Sequence, residues 1–409
     1  MAQISIDQRF SLYVSSAEGV LEYLSRSKDV IFPPIATVKL SLSFTNRSPP
    51  PMLTATPNTT PNLEAAQQAF QEFIQPLAKS DRLVALHDSD ADGLTAGVVW
   101  QRAFDRMGFE SVIRVVPDRE RNAWTAANQQ KVREANPDRL FVMDLGSQDH
   151  QVIPGVPTCF IDHHHPEGVP TGDTLISAYT WEPVPNTSLL IWELCCPLVD
   201  ISDLEWIAAI GTVSDLGDRA PFDLLTSAKK KYTAKYLKEA TALINASRRA
   251  GEYNPELAAQ ALLNHSNPKE LVNSNLPEVG QLRQMRSQVK QELDQARRAA
   301  PTFAGKVALL RLHSSCQIHP LIAQSWRDRL PQYIVIAAND GYLPGRVNFS
   351  ARSNSQNVLE FLQSQQISEG DGSFGHGHDQ ASGGSLPVDR WNELLKQLGF
   401  SEQVFAAES

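Results

Sequence analysis

The chain alternates short, continuous apolar runs with segments of helical periodicity. The runs have the length and composition of buried strands, and they lie at 83–87, 111–116, 140–144 and 158–162. Helical patterns over 94–108 and 126–136 separate the first three runs. Strands that are apolar on both faces and alternate with helices are typical of a parallel sheet, so this part of the chain is predicted to be an α/β domain.

A second, smaller α/β unit is predicted after residue 300. Its strands are expected at 306–313, 333–338 and 346–352. Between the units, residues 281–300 place apolar side chains at spacings of three and four, which predicts a connector helix. The arginines and lysine of that helix are better explained by a solvated helix face than by a nucleic-acid contact. The fold class expected is therefore α/β: a parallel-sheet domain over 63–280, the connector helix over 281–300, and a smaller mixed α/β domain over 301–409.

Residues 1–62 differ from the rest of the chain. They end in a segment rich in Pro, Thr, Ser and Asn, which is typical of a linker or a disordered extension. Residues 38–44 alternate like a strand but have no evident partner nearby. One hypothesis is that translation starts at Met52 rather than Met1, and a native peptide from within residues 1–51 would refute it.

Composition narrows the class further. The 409 residues are 42% hydrophobic and 20% charged, as expected of a globular protein, and carry a formal charge of −9. That balance argues against a surface coated with positive charge for duplex binding. The four cysteines form no C-x-x-C pair and are expected to be reduced thiols. No apolar run reaches the roughly 18 residues of a membrane span, so a soluble, cytoplasmic protein without membrane partners is expected; the oligomeric state is not predicted.

Acidic residues and histidines follow three of the predicted strands. In an open parallel sheet the carboxyl ends of the strands meet at one edge, where ligands bind. A further acid follows an apolar helix near residue 210. The set comprises Asp88, Asp90 and Asp92 after the first strand, Asp144 after the third, Asp162 with His163, His164 and His165 at the fourth, and Asp215 after the helix.

So many carboxylates in one place repel one another unless some are protonated or a cation neutralises them. Oxygen ligands with an imidazole and no cysteine suit Mn²⁺ or Mg²⁺, and two such ions could promote hydrolysis of a phosphoester. Taken singly, Asp88, Asp90 or Asp144 is better explained as a helix cap or a loop residue. The whole set at three strand ends favours a metal site.

A glycine-rich segment near the C-terminus is the second candidate for chemistry. It has six glycines between Gly370 and Gly384, and its backbone N–H groups with His376 or His378 could bind a phosphate. A disordered Gly/Ser loop explains the same composition equally well. On the preceding strand, Arg346 and Arg352 could bind phosphate or form surface salt bridges.

These motifs together resemble the DHH phosphoesterases. The family takes its name from the tripeptide present here as Asp162-His163-His164, and the motifs occur in the family's order over about residues 80–400. The matching segments are HDSDADGLTAG at 87–97, VMDLGS at 142–147, IDHHHP at 161–166, GTVSDLGD at 211–218, VNFSARS at 347–353 and GHGHDQASGG at 375–384. The last two resemble the associated DHHA1 domain.

The resemblance implies two metal ions, usually Mn²⁺ with Mg²⁺ possible, in a cleft between the two domains. It assigns Asp144 as the ligand bridging the ions and His164 as the residue facing the substrate phosphate. Asp162 would bind a metal or orient its neighbours, and the role of His87 stays open. The other implied metal ligands are Asp88, Asp90, Asp92, His163 and Asp215, and the implied substrate contacts are Arg352 and His378 supported by Ser350 and Gly377.

The DSDADG form is similar to the RecJ branch, the single-strand-specific exonucleases. Only 25 residues follow Gly384, whereas an oligonucleotide-binding barrel needs roughly 100. The expectation is therefore a metal-dependent exonuclease or phosphodiesterase of single-stranded nucleic acid or short oligonucleotides. The alternatives are a hydrolase of a small nucleotide such as a cyclic dinucleotide, and a catalytically silent binding scaffold.

Overall fold

The structure is a computed structural model that describes residues 2–5, 11–14, 60–365, 367 and 373–401, without the side chains of 2–5, 11–14 and 373–378. Strands β1 (Ala2–Ser5) and β2 (Ser11–Val14) form an antiparallel ribbon within a separate unit, Met1–Ala55. The predicted strand at 38–44 and Met52 lie outside the described residues.

The unit that begins at Thr56 contains a five-stranded sheet in which every neighbouring pair is parallel, in the order β4-β3-β5-β6-β7. This confirms the predicted parallel sheet; β7 was not expected. The strands are β3 (Arg82–His87), β4 (Ser111–Val115), β5 (Arg139–Met143), β6 (Thr158–Asp162) and β7 (Thr174–Ser177).

Helices cover both faces of this sheet and continue as a helical layer towards the second sheet. Helix α6 is kinked at Thr233, whose φ is 68°. The helices are α1 (Leu63–Ile74), α2 (Ala91–Arg106), α3 (Ala126–Ala135), α4 (Thr187–Cys195), α5 (Glu205–Leu216), α6 (Asp223–Arg249), α7 (Pro255–Leu263), α8 (Pro268–Asn273) and α9 (Pro277–Ala296). The predicted connector helix is α9, which begins four residues earlier and ends four residues earlier than expected, because Pro277 occupies its first turn.

The core explains why these strands are apolar on both faces. On one face Phe70, Trp100, Phe104 and Phe141 form a buried aromatic cluster with ring centroids 5.1–6.2 Å apart. On the other face, buried β3, β5 and β6 side chains pack against α3. Edge-to-face and tilted aromatic contacts add to the area burial that stabilises this layer.

A six-stranded mixed sheet forms the second part, in the order β12-β13-β11-β10-β9-β8. Only the β9–β10 pair is parallel. This agrees with the smaller mixed α/β unit predicted after residue 300. Its elements are β8 (Thr302–Ala304), β9 (Val307–Leu312), α10 (His319–Arg327), β10 (Ile334–Asn339), β11 (Arg346–Arg352), α11 (Val358–Gln363), β12 (Ser373–His378), β13 (Ala381–Pro387) and α12 (Val388–Gln397).

Strand β11 contributes polar side chains to one wall of a cleft. Its alternate residues Val347, Phe349 and Ala351 are buried in the core against α12. Because successive side chains of a strand point to opposite faces, the residues between them face the other side. Those residues are Arg346, Asn348, Ser350 and Arg352, and all four line a cleft.

The described part of the glycine-rich segment forms the hairpin β12–β13, with β13 also paired to β11. Close packing explains why one of the glycines of this segment is present. A Cβ at Gly383 would lie 2.4 Å from the carbonyl oxygen of Phe349. Two strands approach closely at this position, and only glycine fits. Among the described residues, no helix is both long enough and apolar enough to cross a bilayer. The domain boundaries given above remain predictions.

Candidate metal centre

Eight of the predicted site residues meet at the carboxyl edge of the parallel sheet. Within each of three overlapping groups, one ligand atom per residue lies within 4.8 Å of the others. Asp144 belongs to two of the groups, and so does His163. The groups are Asp88 with Asp90 and Asp144; Asp92 with His163 and Asp215; and Asp144 with Asp162, His163 and His164.

The sheet register accounts for this convergence. The amide of Asp88 donates to the carbonyl of Met143 at 3.1 Å, and the amide of Asp144 donates to the carbonyl of Ile161 at 3.2 Å. Each acid is thus the first residue beyond its strand and stands beside the next strand's end. Asp144 has a φ of 63°, a left-handed backbone conformation that aspartate tolerates better than most residues.

Asp92 is held by the beginning of helix α4. Its Oδ1 accepts from the Asn186 side-chain amide at 2.5 Å and from the Ser188 amide at 2.7 Å, and its Oδ2 accepts from the Thr187 amide at 2.9 Å. Thr187 also donates its hydroxyl to Oδ1 of Asp144 at 3.0 Å. One helix N-terminus therefore fixes two carboxylates that follow different strands of the sheet.

The carboxylates of this centre lie close together and repel one another. Burial, followed by repulsion from Asp144 and Asp215, raises the pKa of Asp92 well above its usual range. Burial, followed by repulsion from Asp90, does the same to the pKa of Asp144. A divalent cation would neutralise the crowded carboxylates, so the donor set fits the metal chemistry expected from the sequence.

Asp162 accepts hydrogen bonds from three neighbouring residues. Its Oδ1 accepts from the amides of His163 and His164 at 2.6 and 2.8 Å and from the His164 ring at 2.7 Å. Its Oδ2 accepts from the Gly146 amide at 2.6 Å. Burial opposes charge on His164, yet Asp162 raises the pKa of that ring to about 9. This favours the orienting role that the resemblance left open for Asp162.

Two arginines, which the sequence had not singled out, engage the first acidic motif. Arg121 binds both carboxylate oxygens of Asp88, through Nε at 2.7 and 3.1 Å and through Nη2 in a closer contact. Arg248 Nη2 lies 3.4 Å from Oδ2 of Asp90. Burial opposes ionisation of Asp90, but Arg248 and Arg121 hold its pKa at about 2. Asp88 is thus committed to an ion pair, and its role as a metal ligand remains a prediction.

His87 is fully buried behind the site. Its Nδ1 lies 2.8 Å from the carbonyl of Asp88, and burial lowers its pKa to about 3. The ring also fills the space beside Gly97, where a Cβ would come within 2.2 Å of it. His87 therefore supports the strand end through packing.

The acidic cluster opens into a cleft of about 750 Å³ that is shared with the mixed sheet. Asp144 and His164 line one wall, and Ser350 and Arg352 line the other. Burial and then Arg327 lower the pKa of Arg352 to about 10, so it stays cationic at neutral pH. Gly377 and His378 lie on β12, whose side chains are outside the description, and their substrate contacts remain predictions.

No protein-family model and no curated protein matches the chain. Solved structures do match. RecJ from Thermus thermophilus in complex with Mn²⁺ aligns with a TM-score of 0.58 at 19% identity, over 85% of this chain and 57% of that one. An exonuclease RecJ bound to manganese aligns at 0.56 and 18% identity, over 84% and 95% of the two chains. A DHH domain from a protein described as a member of a family of ribosomal proteins aligns at 0.56 and 15% identity, over 85% and 90%.

The fold and the acidic edge together define a DHH phosphoesterase fold. Among solved structures of that fold, the chain is similar to RecJ, and it spans little more than half the length of the Thermus protein. At these identities the likeness defines the fold alone. The same Thermus protein is also solved with Mg²⁺.

Proposed function

We propose that this protein is a metal-dependent phosphoesterase that hydrolyses phosphodiester bonds in single-stranded nucleic acid or short oligonucleotides. The observation that carries the proposal is the joining of carboxylates and an imidazole at the carboxyl edge of the parallel sheet, facing arginines across a cleft. Raised pKa values at Asp92 and Asp144 are typical of residues that receive a cation or a proton during function.

The metal ligands proposed are Asp90, Asp92, Asp144, His163 and Asp215. Asp144 belongs to two of the three groups, as expected of a bridging ligand. Carboxylate oxygens with one imidazole suit Mn²⁺ or Mg²⁺. When bound, a pair of such ions supplies a water of lowered pKa and neutralises charge on the phosphate oxygens.

The side chains around the ions then have separate tasks. His164, whose ring is fixed by Asp162 at 2.7 Å, presents positive charge to the cleft and would bind a phosphate oxygen. Arg352, on the opposite wall, would hold a neighbouring phosphate in the fork geometry that guanidinium groups offer. The helix N-terminus at Asn186 and Thr187 keeps two ligands in place before the substrate arrives.

Short substrates suit this chain better than long ones. The formal charge of −9 disfavours tight binding along a long strand, since such binding relies on many phosphate contacts. The cationic side chains of His164 and Arg352 line the same cleft. We therefore expect activity to be highest on oligonucleotides of a few residues.

The test is a panel of 5′-labelled DNA and RNA oligomers from about two to about thirty nucleotides, incubated with Mn²⁺. Wild-type protein should release mononucleotides, most rapidly from the shortest members. Asp144→Ala should abolish the activity. Asp149→Ala is the matched control, because Asp149 is an exposed loop residue outside the three groups.

Undiminished hydrolysis by Asp144→Ala would refute the site. Hydrolysis of a cyclic dinucleotide without hydrolysis of oligomers would support the small-nucleotide alternative. Failure to hydrolyse any substrate, together with no uptake of Mn²⁺ by the purified protein, would support the silent scaffold.

A further inference from the structure

Three buried polar groups on the mixed-sheet side of the cleft have no hydrogen-bond partner. They are Nδ1 of His319, the hydroxyl of Tyr342 and Oδ1 of Asn348. Their residues are 5%, 3% and 8% exposed, and all three line the same cleft. Buried polar groups in folded proteins are nearly always satisfied, so three orphan groups on residues that line one cavity indicate a place for a ligand.

The fold brings these groups together from three elements. His319 begins helix α10, Tyr342 lies in the turn after β10, and Asn348 lies on the cleft face of β11. The ring centroids of His319 and Tyr342 are 6.0 Å apart. Helix α10 packs against both β10 and β11, so all three groups belong to one wall.

The chemistry of the orphan groups restricts the ligand. The side-chain oxygen of Asn348 can only accept a hydrogen bond. A fully ionised phosphate oxygen also only accepts, so phosphate cannot satisfy it. A ligand that satisfies this oxygen brings an O–H or N–H group to this wall.

His319 contributes a ring that can both donate and accept a hydrogen bond. Burial, then the positive charges of Arg248 and Arg352, lowers the pKa of its ring to about 3, so the ring is neutral. A neutral imidazole offers one N–H and one lone pair. Together with the Tyr342 hydroxyl, which can donate or accept, the wall presents the mixed pattern that a nucleoside matches.

Building on the phosphoesterase function proposed above, we propose that His319, Tyr342 and Asn348 form a nucleoside subsite that binds donor and acceptor groups of the substrate's terminal nucleoside. The cleft is large enough for a nucleoside, because its volume of about 750 Å³ falls in the range of small-molecule sites. Asp144 and His164 line the facing wall. A nucleoside held at the subsite therefore shares the cleft with the acidic cluster.

The donor group on the ligand comes from the sugar or from the base. The test compares four substrates with Mn²⁺: a 5′-phosphorylated ribodinucleotide, its deoxyribo counterpart, the deoxyribo form with an abasic 5′ residue, and bis(p-nitrophenyl) phosphate, which has no nucleoside. The variants are Tyr342→Phe and Asn348→Ala. Tyr333→Phe is the matched control, since Tyr333 packs against Phe303 away from the cleft.

Tyr342→Phe should lower kcat/KM about tenfold on nucleoside substrates, mainly through KM, and leave bis(p-nitrophenyl) phosphate unchanged. Loss confined to the ribodinucleotide assigns the 2′-hydroxyl, and loss on both dinucleotides but not on the abasic one assigns the base. Because the hydroxyl has no partner within the protein, the thermal midpoint of Tyr342→Phe should equal or exceed that of the wild type. A merely structural role predicts a lower midpoint.

Unchanged kcat/KM on every dinucleotide, or an equal loss on bis(p-nitrophenyl) phosphate, would overturn the subsite while leaving the phosphoesterase function intact. A wild-type protein that hydrolyses none of the four would instead overturn the proposed function. The subsite is then decided by equilibrium binding of the dinucleotides. Tenfold weaker binding to Tyr342→Phe supports it, and equal binding refutes it.

Discussion

Thr187→Val removes one hydrogen bond from the proposed bridging ligand and little else. The Thr187 hydroxyl donates to Oδ1 of Asp144 at 3.0 Å, and the residue is fully buried. Valine has nearly the same shape, and the backbone amide that donates to Asp92 is retained. The substitution therefore leaves a buried carboxylate oxygen with one donor fewer.

The size of the effect follows from that contact. A hydrogen bond to a charged group contributes about 1.5–3 kcal/mol, which corresponds to roughly a tenfold to hundredfold change in an equilibrium constant. Loss of a partner that orients a metal ligand typically weakens metal binding by about the same factor. We expect the Mn²⁺ concentration for half-maximal activity to rise by that amount, with kcat at saturating Mn²⁺ within about threefold of wild type.

Mn²⁺ titrations of activity and calorimetric titrations of Mn²⁺ without substrate measure this directly. Thr212→Val is the matched control, because Thr212 is equally buried but donates to the carbonyl of Ala208 rather than to a carboxylate. An Mn²⁺ midpoint within about twofold of wild type for Thr187→Val would refute the reasoning, as would an equal shift in the control.

Three further predictions follow from packing and burial. His319→Gln should remove a pH-dependent loss of stability. The pKa of the buried His319 imidazole is about 3 in the folded protein and about 6.5 in the unfolded chain. The free energy of unfolding of the wild type should therefore fall by about 1.4 kcal/mol between pH 7.5 and 5.5. Urea unfolding at both pH values should show a smaller loss in the variant, and an equal loss would contradict this. Gly383→Ala should lower stability by about 1–3 kcal/mol, since its Cβ would meet the backbone oxygen of Phe349 at 2.4 Å; an unchanged urea midpoint would argue against this. Gly97→Ala should destabilise to a similar degree by displacing His87, 2.2 Å from the new Cβ, and an unshifted melting temperature would disprove it.

Much of the parallel sheet and its acidic edge could be predicted because the signals are local. Apolar runs locate the strands, and the parallel arrangement places their carboxyl ends together. Asp88, Asp144 and His163 each follow or end a run directly, so their convergence needed only the strand assignment. Strand β7 was missed because its four residues, TLIS, are too short for a periodic signal.

The residues that support the site could not be located in the same way. Arg121 lies in a loop, with a φ of 57°, and nothing in its neighbours fixes where its side chain points. Asn186 precedes an apolar helix and Thr187 begins it, which predicts capping residues, yet the Asn186 side chain bonds to Asp92 instead of to its own helix. A signal existed for Arg121: its loop follows β4, whose carboxyl end belongs to the same sheet edge.

The glycine-rich segment shows a second limit. Glycine has low strand propensity, and a phosphate-binding segment and a disordered loop explained the composition equally well. Pairing with β11 supplies hydrogen-bond partners for β13, and the close approach at Gly383 requires glycine. Tertiary context therefore decided an element that local propensity disfavours.

Anomalous diffraction from crystals grown with Mn²⁺ tests the proposed centre most directly. We expect two Mn²⁺ peaks at the carboxyl edge of the parallel sheet, with Asp144 contacting both, and the loss of at least one peak in crystals of Asp144→Ala. Crystals of the wild-type protein with no peak at this edge, or with peaks only at exposed acids elsewhere, would contradict a two-metal phosphoesterase site.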